Sequence, residues 1–406
     1  MTDVLSGVRV IELASWTFVP AAGVALADWG ADVIKIEHPQ GGDPGRALVV
    51  GGLAPGKGKT ALDYMLELGN RGKRSVGLDL RHEVGRELLL KLVENADVFL
   101  TNWLSDARRK LRIDVEDLRA VNPKLIYARG SGLGPRGPEA TNGGFDAASY
   151  LARGSVAYAL ATDPTERPMA QRPAYGDLPS GLTLAGGIVA ALYRRERTGE
   201  PSVVDVSLLS QAMWTMAPDI MAADFFDVDR IPTGVGKMAL NPITNSYRTR
   251  DNRWLQLVML QPDRYWRPLC EAIGRPDLAE DPRFPDGASL VKNAAEAVEE
   301  LDRTFAEHDL DHWRRALAKQ EGVWAVVQSP QEVLRDPQAV ANEYLVEATD
   351  AAGVPYRFVA NPIQIDESAP RPAQAPEHGQ HTEEVLLEAG MTWDDIIAAK
   401  ERGAVM

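Results

Sequence analysis

Over the first 130 residues, short apolar runs alternate with longer segments whose apolar positions recur at three- and four-residue steps. Residues 8–13 (VRVIEL) predict a strand, 21–29 a helix and 31–37 a second strand, which together make a compact βαβ unit. A strand over 75–80, a helix over 84–95, a strand over 96–101, a short helix near 115–121 and a strand over 125–128 continue the alternation. Repeated βα units predict a mainly parallel sheet with helices on both faces, hence an α/β fold. Ligands on such sheets bind beyond the carboxyl ends of the strands, so the residues after Leu13, Ile36, Leu80, Leu100 and Ala128 are the first candidates for a site.

The pattern then changes. Leu182, Ala185, Ile188, Val189 and Leu192 mark one face of a helix that ends in cations before Thr198-Gly199. Residues 230–330 hold one strong strand signal (254–259) and helical runs at 265–273, 294–307 and 312–320, the pattern of a smaller inserted domain. Residues 1–210 are the first part of the large domain, 211–229 a linker, 230–330 the small domain, and 331–406 a linker with a return to the large domain. Pro362 to Pro376 predicts an exposed arm, 383–389 a helix capped by Thr382, and 393–400 a last helix; no internal repeat or heptad array is present.

Composition narrows the classes. At 406 residues, 45% hydrophobic and 25% charged, the chain suits two globular domains. No stretch approaches the roughly 20 apolar residues of a membrane helix, and the N-terminus lacks the basic and apolar regions of a signal peptide, so no membrane association and a cytoplasmic location are expected. The single Cys270 has no partner for a disulfide within the chain and reads as core. A net charge of −14 argues against nucleic-acid binding. Two basic islands stand out against it, Arg71, Lys73, Arg74 and Arg81, then Arg108, Arg109, Lys110 and Arg112; they are either solvated faces or a binding surface for a compact polyanion.

Among chemical motifs, Gly176-Asp177-Leu178-Pro179-Ser180-Gly181 places a carboxylate where the 182–197 helix begins. Either Asp177 caps that helix, or the dipole and unpaired N–H groups there keep it ionised as a nucleophile. Gly132-Leu-Gly134-Pro-Arg-Gly137 fits a dinucleotide pattern, but Pro135 and Pro138 interrupt the helix that should follow. Gly58-Lys59-Thr60 lacks the spacing of a phosphate loop. His308 and His312, four apart, lack a third clear ligand, and no metal site is expected. A serine triad cannot be assembled.

The Asp177 turn, its Ala/Gly-rich helix ending in Thr-Gly, and Val203-Val204-Asp205-Val206-Ser207-Leu208-Leu209 resemble the family III CoA-transferases, the group of formyl-CoA and carnitine CoA-transferases. Gly30 to Glu37, Gly42-Asp43 with Arg46, Lys73-Arg74-Ser75, Asn102-Trp103, Asn241-Pro242 and His381-Thr382 match in order, so the likeness spans nearly the whole chain. It implies a Rossmann-like large domain built from both chain ends, a smaller middle α/β domain, and an interlocked homodimer. It also implies transfer of CoA from an acyl-CoA to a carboxylic acid, with Asp177 as the acyl-accepting nucleophile, Asp146 as a second active-site acid or a helix cap, and no tightly bound cofactor. Contacts to CoA carry over onto Thr17, Phe18, His38, Leu78, Asp79, Leu80, Arg81, Asn102, Trp103, Leu104, Lys110 and Phe145. Backbone N–H groups near Gly176 and Gly181, and in the loop Thr233 to Lys237, are the expected oxyanion donors. The chain departs from the family at Val19-Pro20, in the thin 233–237 loop and after Asn102-Trp103, where the usual Pro-Gly is absent. The alternative chemistry is α-proton exchange on the same fold, but related racemases have a His where this chain has Phe145, which cannot carry a proton, so the resemblance implies transfer instead; a non-catalytic CoA-binding protein is the other alternative.

Overall fold

The computed structural model describes residues 4–161, 163, 165, 167–232, 234, 236–370 and 373–406. Two compact units divide the chain, Met1–Met221 with Gln338–Met406, and Ala222–Pro337.

The first unit is built on β1 (Arg9–Leu13), α1 (Phe18–Asp28), β2 (Asp32–Glu37), α2 (Tyr64–Asn70), β3 (Arg74–Gly77), α3 (Glu83–Glu94), β4 (Val98–Thr101), α4 (Ser105–Leu111), α5 (Val115–Arg119), β5 (Ile126–Ser131), α6 (Val156–Leu160), α7 (Asp177–Thr198), β6 (Val203–Ser207) and α8 (Leu208–Thr215). Its six strands are all parallel in the order β3-β2-β1-β4-β5-β6. The central strands are covered on both faces, which is why they read as unbroken apolar runs. Val10, Val33, Val98 and Ile126 face α1 and α7, whereas Ile11, Ile34, Phe99 and Tyr127 face α3 and the C-terminal helices.

Helix α1 is buried almost all round, being enclosed by the sheet and α7. Gly181 permits that crossing, because a Cβ there would lie 2.7 Å from the Phe18 carbonyl oxygen and 2.8 Å from Ala21 Cβ. Arg195 and Arg197 sit in the last turn of α7, and Gly199 ends it at φ +74°.

The C-terminus closes the edge at β3. The helices Thr382–Glu388 and Trp393–Glu401 put Val385, Leu386, Ile396 and Ala399 into the core, and Met406 donates its N–H to the Gly77 carbonyl. Thr382 is not the cap expected; its hydroxyl accepts from the Gly77 N–H and donates to the Gly379 carbonyl, tying the helix to the sheet edge. The 362–376 segment, expected as an exposed arm, is largely exposed or half-buried among its described residues but tied down, since the Ala373 carbonyl accepts the Gly72 N–H and the Ala375 N–H donates to Glu67.

The 211–229 segment is largely helical, in α8 and α9 (Ala217–Phe226). In the second unit, β7 (Ser246–Arg248), β8 (Trp254–Leu257) and β9 (Trp324–Val326) form an antiparallel sheet. Its core gathers Tyr247, Phe305 and Trp313 with Cys270, whose thiol burial pushes up to about 12. Of the expected glycine loop, Thr233 and Val235 lie outside the described residues, and the Gly236 N–H donates to Asn245 Oδ1.

Candidate active site

The strand order reverses between β1 and β4, and the chains leaving these two strands diverge. Asn102 bridges the divergence: its side-chain amide donates to the Ser15 carbonyl at 2.7 Å and its Oδ1 accepts the Ser15 N–H at 3.1 Å. Two cavities open on either side of this clasp and share Ser15, Trp103 and Ala107.

The first cavity, about 460 Å³, lies over the carboxyl ends of β1 to β3 and is bounded by α4. His38, Leu78, Asp79, Leu80, Arg81, Trp103 and Lys110, all expected from the sequence, line it. Arg81 is exposed at the rim, with Nε 3.1 Å from Asp79 Oδ1 and Nη2 2.6 Å from His38 Nε2. The Arg81 hydrogen bond holds the Asp79 carboxyl below its ordinary range. Lys110 is exposed and has no ion-pair partner among the described residues.

Five of the other six residues in the two basic islands are paired elsewhere. Arg71 pairs with buried Asp28, Lys73 with buried Glu12, and Arg74 with Asp32, Glu384 and Glu388. Arg108 pairs with Asp114 and donates to the Trp103 carbonyl, and Arg109 pairs with Asp106. The islands are therefore mainly internal ties, and Arg81 and Lys110 are the members that reach the cavity.

The second cavity, about 360 Å³, contains Asp177 together with Phe18, Asn102, Trp103, Leu104, Phe145 and Leu208. Trp16, Gly130, Ser131, Gly132, Gly143 and Gly144 complete much of its wall; of these only Gly132 was singled out from the sequence, in the dinucleotide-like pattern. The glycines let chains meet: a Cβ on Gly132 would sit 2.6 Å from Gly144 Cα, and one on Gly130 2.2 Å from Val19 Cγ2. The glycine density of 130–144 was visible, but it serves wall packing instead of the dinucleotide loop its spacing suggests. Thr17 lines neither cavity; its side chain is buried and its carbonyl accepts the Ala21 N–H at the head of α1.

Asp177 is the first helical residue of α7, one position past the cap, and makes no capping hydrogen bond. Its carboxyl is pushed up to about 7, first by burial and then by the charge of Asp146, so the helix terminus does not hold it in the ordinary ionised range. Asp146 caps no helix either: both its oxygens accept the Gly176 N–H, at 2.9 and 3.1 Å. The motif glycine follows from that contact, because a Cβ on Gly176 would lie 2.4 Å from Asp146 Oδ1 and 2.3 Å from Tyr150 Cγ. Ser180 Oγ returns a hydrogen bond to the Gly176 carbonyl at 2.6 Å. Two of the N–H groups among the expected oxyanion donors are already engaged, that of Gly176 by Asp146 and that of Gly236 by Asn245.

The family model for CoA-transferase family III matches residues 5–382. The chain is 34% identical over 397 residues to a cinnamoyl-CoA:phenyllactate CoA-transferase from Clostridium sporogenes, covering 97% of this chain and 95% of that protein. It is 33% identical over 402 residues to an (R)-2-hydroxy-4-methylpentanoate CoA-transferase from Clostridioides difficile, covering 99% of both. A CaiB/BaiF family protein from Brucella suis superposes with a TM-score of 0.79 at 28% identity, over 95% of this chain and 99% of that one. The protein belongs to CoA-transferase family III and is an acyl-CoA:carboxylate CoA-transferase. Among the described residues no helix is long and apolar enough to cross a membrane.

Proposed function

We propose that this enzyme moves CoA between carboxylic acids through covalent intermediates on Asp177. The observation that carries the reading is the position of Asp177 in a cavity that adjoins, across the shared wall residues Ser15, Trp103 and Ala107, the one that Arg81 and Lys110 flank. The nucleotide end of an acyl-CoA would lie in the first cavity with its phosphates near Arg81 and Lys110, and the thioester would reach past Trp103 to Asp177.

An Asp177 carboxylate oxygen attacks the thioester carbonyl carbon, the C–S bond breaks, and a mixed anhydride and CoA thiolate result. The thiolate then attacks the Asp177 carbonyl carbon of the anhydride, which releases the first acid and leaves an aspartyl-CoA thioester. An incoming carboxylate attacks that thioester to regenerate thiolate and a new anhydride. Attack by the thiolate on the new acyl carbon completes the exchange and frees Asp177. Each step exchanges one activated acyl bond for another, and no proton is transferred in the sequence. A carboxylate made more basic by burial and by Asp146 is the stronger nucleophile once ionised, and at neutral pH about half is ionised. Asp146 acts through Asp177 and through the Gly176 N–H it holds.

We assign CoA binding to the domain made of both chain ends, 1–210 with 331–406, and read the protein as a cytoplasmic homodimer that keeps no tightly bound cofactor. Exposed Tyr193, Met213 and Trp214 on α7 and α8 give apolar surface for self-association. Incubation with an acyl-CoA donor, quenching and peptide mass mapping should place an acyl or CoA adduct on Asp177. An adduct on another residue, or full turnover by Asp177→Asn without deamidation, would overturn the reading.

A further inference from the structure

The second cavity has a chemical character beyond its nucleophile. Asp177 carries the only charge among the described residues that line it, and Asp146 lies directly behind the Gly176 backbone. Trp16 and Phe145 stand in the wall in edge-to-face contact, ring centroids 5.7 Å apart and planes at 84°. The adjoining cavity, which shares Asn102 to Leu104, has arginines, but Arg108, Arg109 and Arg129 are each paired, with Asp114, Asp106 and Asp205. A second carboxylate on the acyl group would therefore enter beside two acids with no lining cation to receive it.

Trp16 is also held in a conformation that needs support. Its φ of +69° is in the left-handed region, which a bulky residue adopts only when its surroundings impose it. Asp43 supplies the constraint: its Oδ1 accepts the Trp16 N–H at 3.0 Å and the Gly45 N–H at 2.8 Å, while its Oδ2 lies 2.8 Å from Lys35 Nζ. Lys35, fully buried, also donates to Glu12 and to the Ala14 carbonyl, two residues before Trp16. Burial would lower Lys35, but Glu12, Asp43 and Glu37 hold it above its ordinary range and so charged. The buried charge network under the first cavity thus sets the angle of the aromatic wall in the second.

We propose that the Trp16–Phe145 wall selects acyl groups that end in an aromatic or branched apolar group and rejects those that end in a carboxylate, with Asp43 as the positioning residue for Trp16. The inference rests on the reading of Asp177 as the acyl-accepting carboxylate. The test measures kcat and KM for CoA exchange with 3-phenylpropanoyl-CoA, 4-methylpentanoyl-CoA, acetyl-CoA and succinyl-CoA, each against its own labelled acid. Wild type should favour both apolar donors over succinyl-CoA by about a hundredfold in kcat/KM, and Phe145→Ala and Trp16→Ala should lower that preference about tenfold, mainly through KM. Acetyl-CoA, too short to reach the wall, should lose less than the apolar donors in those variants, Trp16→Phe should retain the preference, and Asp43→Ala, which removes the acceptor of the Trp16 N–H, should lose it as Trp16→Ala does. Succinyl-CoA serving as well as the apolar donors, or a preference unchanged in both alanine variants, would overturn the inference and leave the transferase reading standing. Exchange of no donor, with no adduct on Asp177, would overturn both.

Discussion

If Asp146 raises the Asp177 carboxyl through its charge, neutralising it should make the enzyme a better catalyst in acid. Asp146→Asn retains an oxygen that can accept the Gly176 N–H while removing the charge. With the Asp177 carboxyl near 7, about one-tenth is the nucleophilic carboxylate at pH 6 and about nine-tenths at pH 8. Burial is the larger cause of the rise and persists in the variant, so the carboxyl should fall without reaching the ordinary range. The gain in acylation rate is then bounded at about tenfold at pH 6 and should be under about twofold at pH 8.

Loss of charge assistance in the Gly176 contact should destabilise the fold by about 1 kcal/mol, whereas Asp146→Ala, which leaves that buried N–H without its partner, should cost about 1–3 kcal/mol. The assay is rapid-quench formation of the Asp177 adduct in the first half-reaction from pH 5 to 8.5, with thermal unfolding as the control. An acid limb that stays in place or moves to higher pH in a folded Asp146→Asn protein would refute the electrostatic coupling.

Arg81→Ala and Lys110→Ala should each weaken CoA binding by about 1–3 kcal/mol in low-salt titration, whereas Arg74→Ala should leave affinity unchanged and lower Tm, because Arg74 is held by Asp32, Glu384 and Glu388. Since the folded Asp177 carboxyl is raised, its contribution to stability is full below about pH 4 and is lost as pH rises through about 7; Asp177→Asn should therefore be more stable than wild type in denaturant melts at pH 8 and no more stable at pH 4. Glu12→Gln should destabilise by about 3–5 kcal/mol in the same melts, since it leaves two buried ammonium groups short of their shared carboxylate. In deuterated water a chiral 2-methylacyl-CoA should take up negligible α-deuterium while CoA moves to an added acid; fast deuterium uptake without CoA transfer would assign the site to racemisation.

Parallel strands and their order of appearance were legible because a strand buried on both faces leaves little but apolar side chains in the sequence, and Val98 to Leu100 are such a case. The ends of those strands were expected to hold a site for the same topological reason, and seven of the expected residues do line one cavity, His38, Leu78, Asp79, Leu80, Arg81, Trp103 and Lys110. Charge was the poorer guide. Arg71, Lys73 and Arg74 look like Arg81 in one dimension, but their acids, Asp28, Glu12 and Asp32, are supplied by strands and helices far along the chain, and only the folded sheet brings them together. Glu12 is the sharpest instance, a charge within the central strand β1 that is fully buried between two lysines.

The protonation of Asp177 was illegible for a related reason. A helix N-terminus is visible in sequence and argues for an ionised carboxylate, but burial and a second carboxylate 31 positions earlier oppose it, and in the fold they win. Trp16 left no signal at all, since nothing in a Ser-Trp-Thr run announces a left-handed backbone or a partner as distant as Phe145. What decides both is the Asn102–Ser15 clasp: by joining the loops that leave β1 and β4, it fixes where α1 and the Trp16 turn begin, and it seats the cavity that holds Asp177 beside the one that Arg81 and Lys110 flank. A substitution such as Asn102→Ala should therefore impair adduct formation and CoA binding together, whereas changes confined to either cavity wall should separate them.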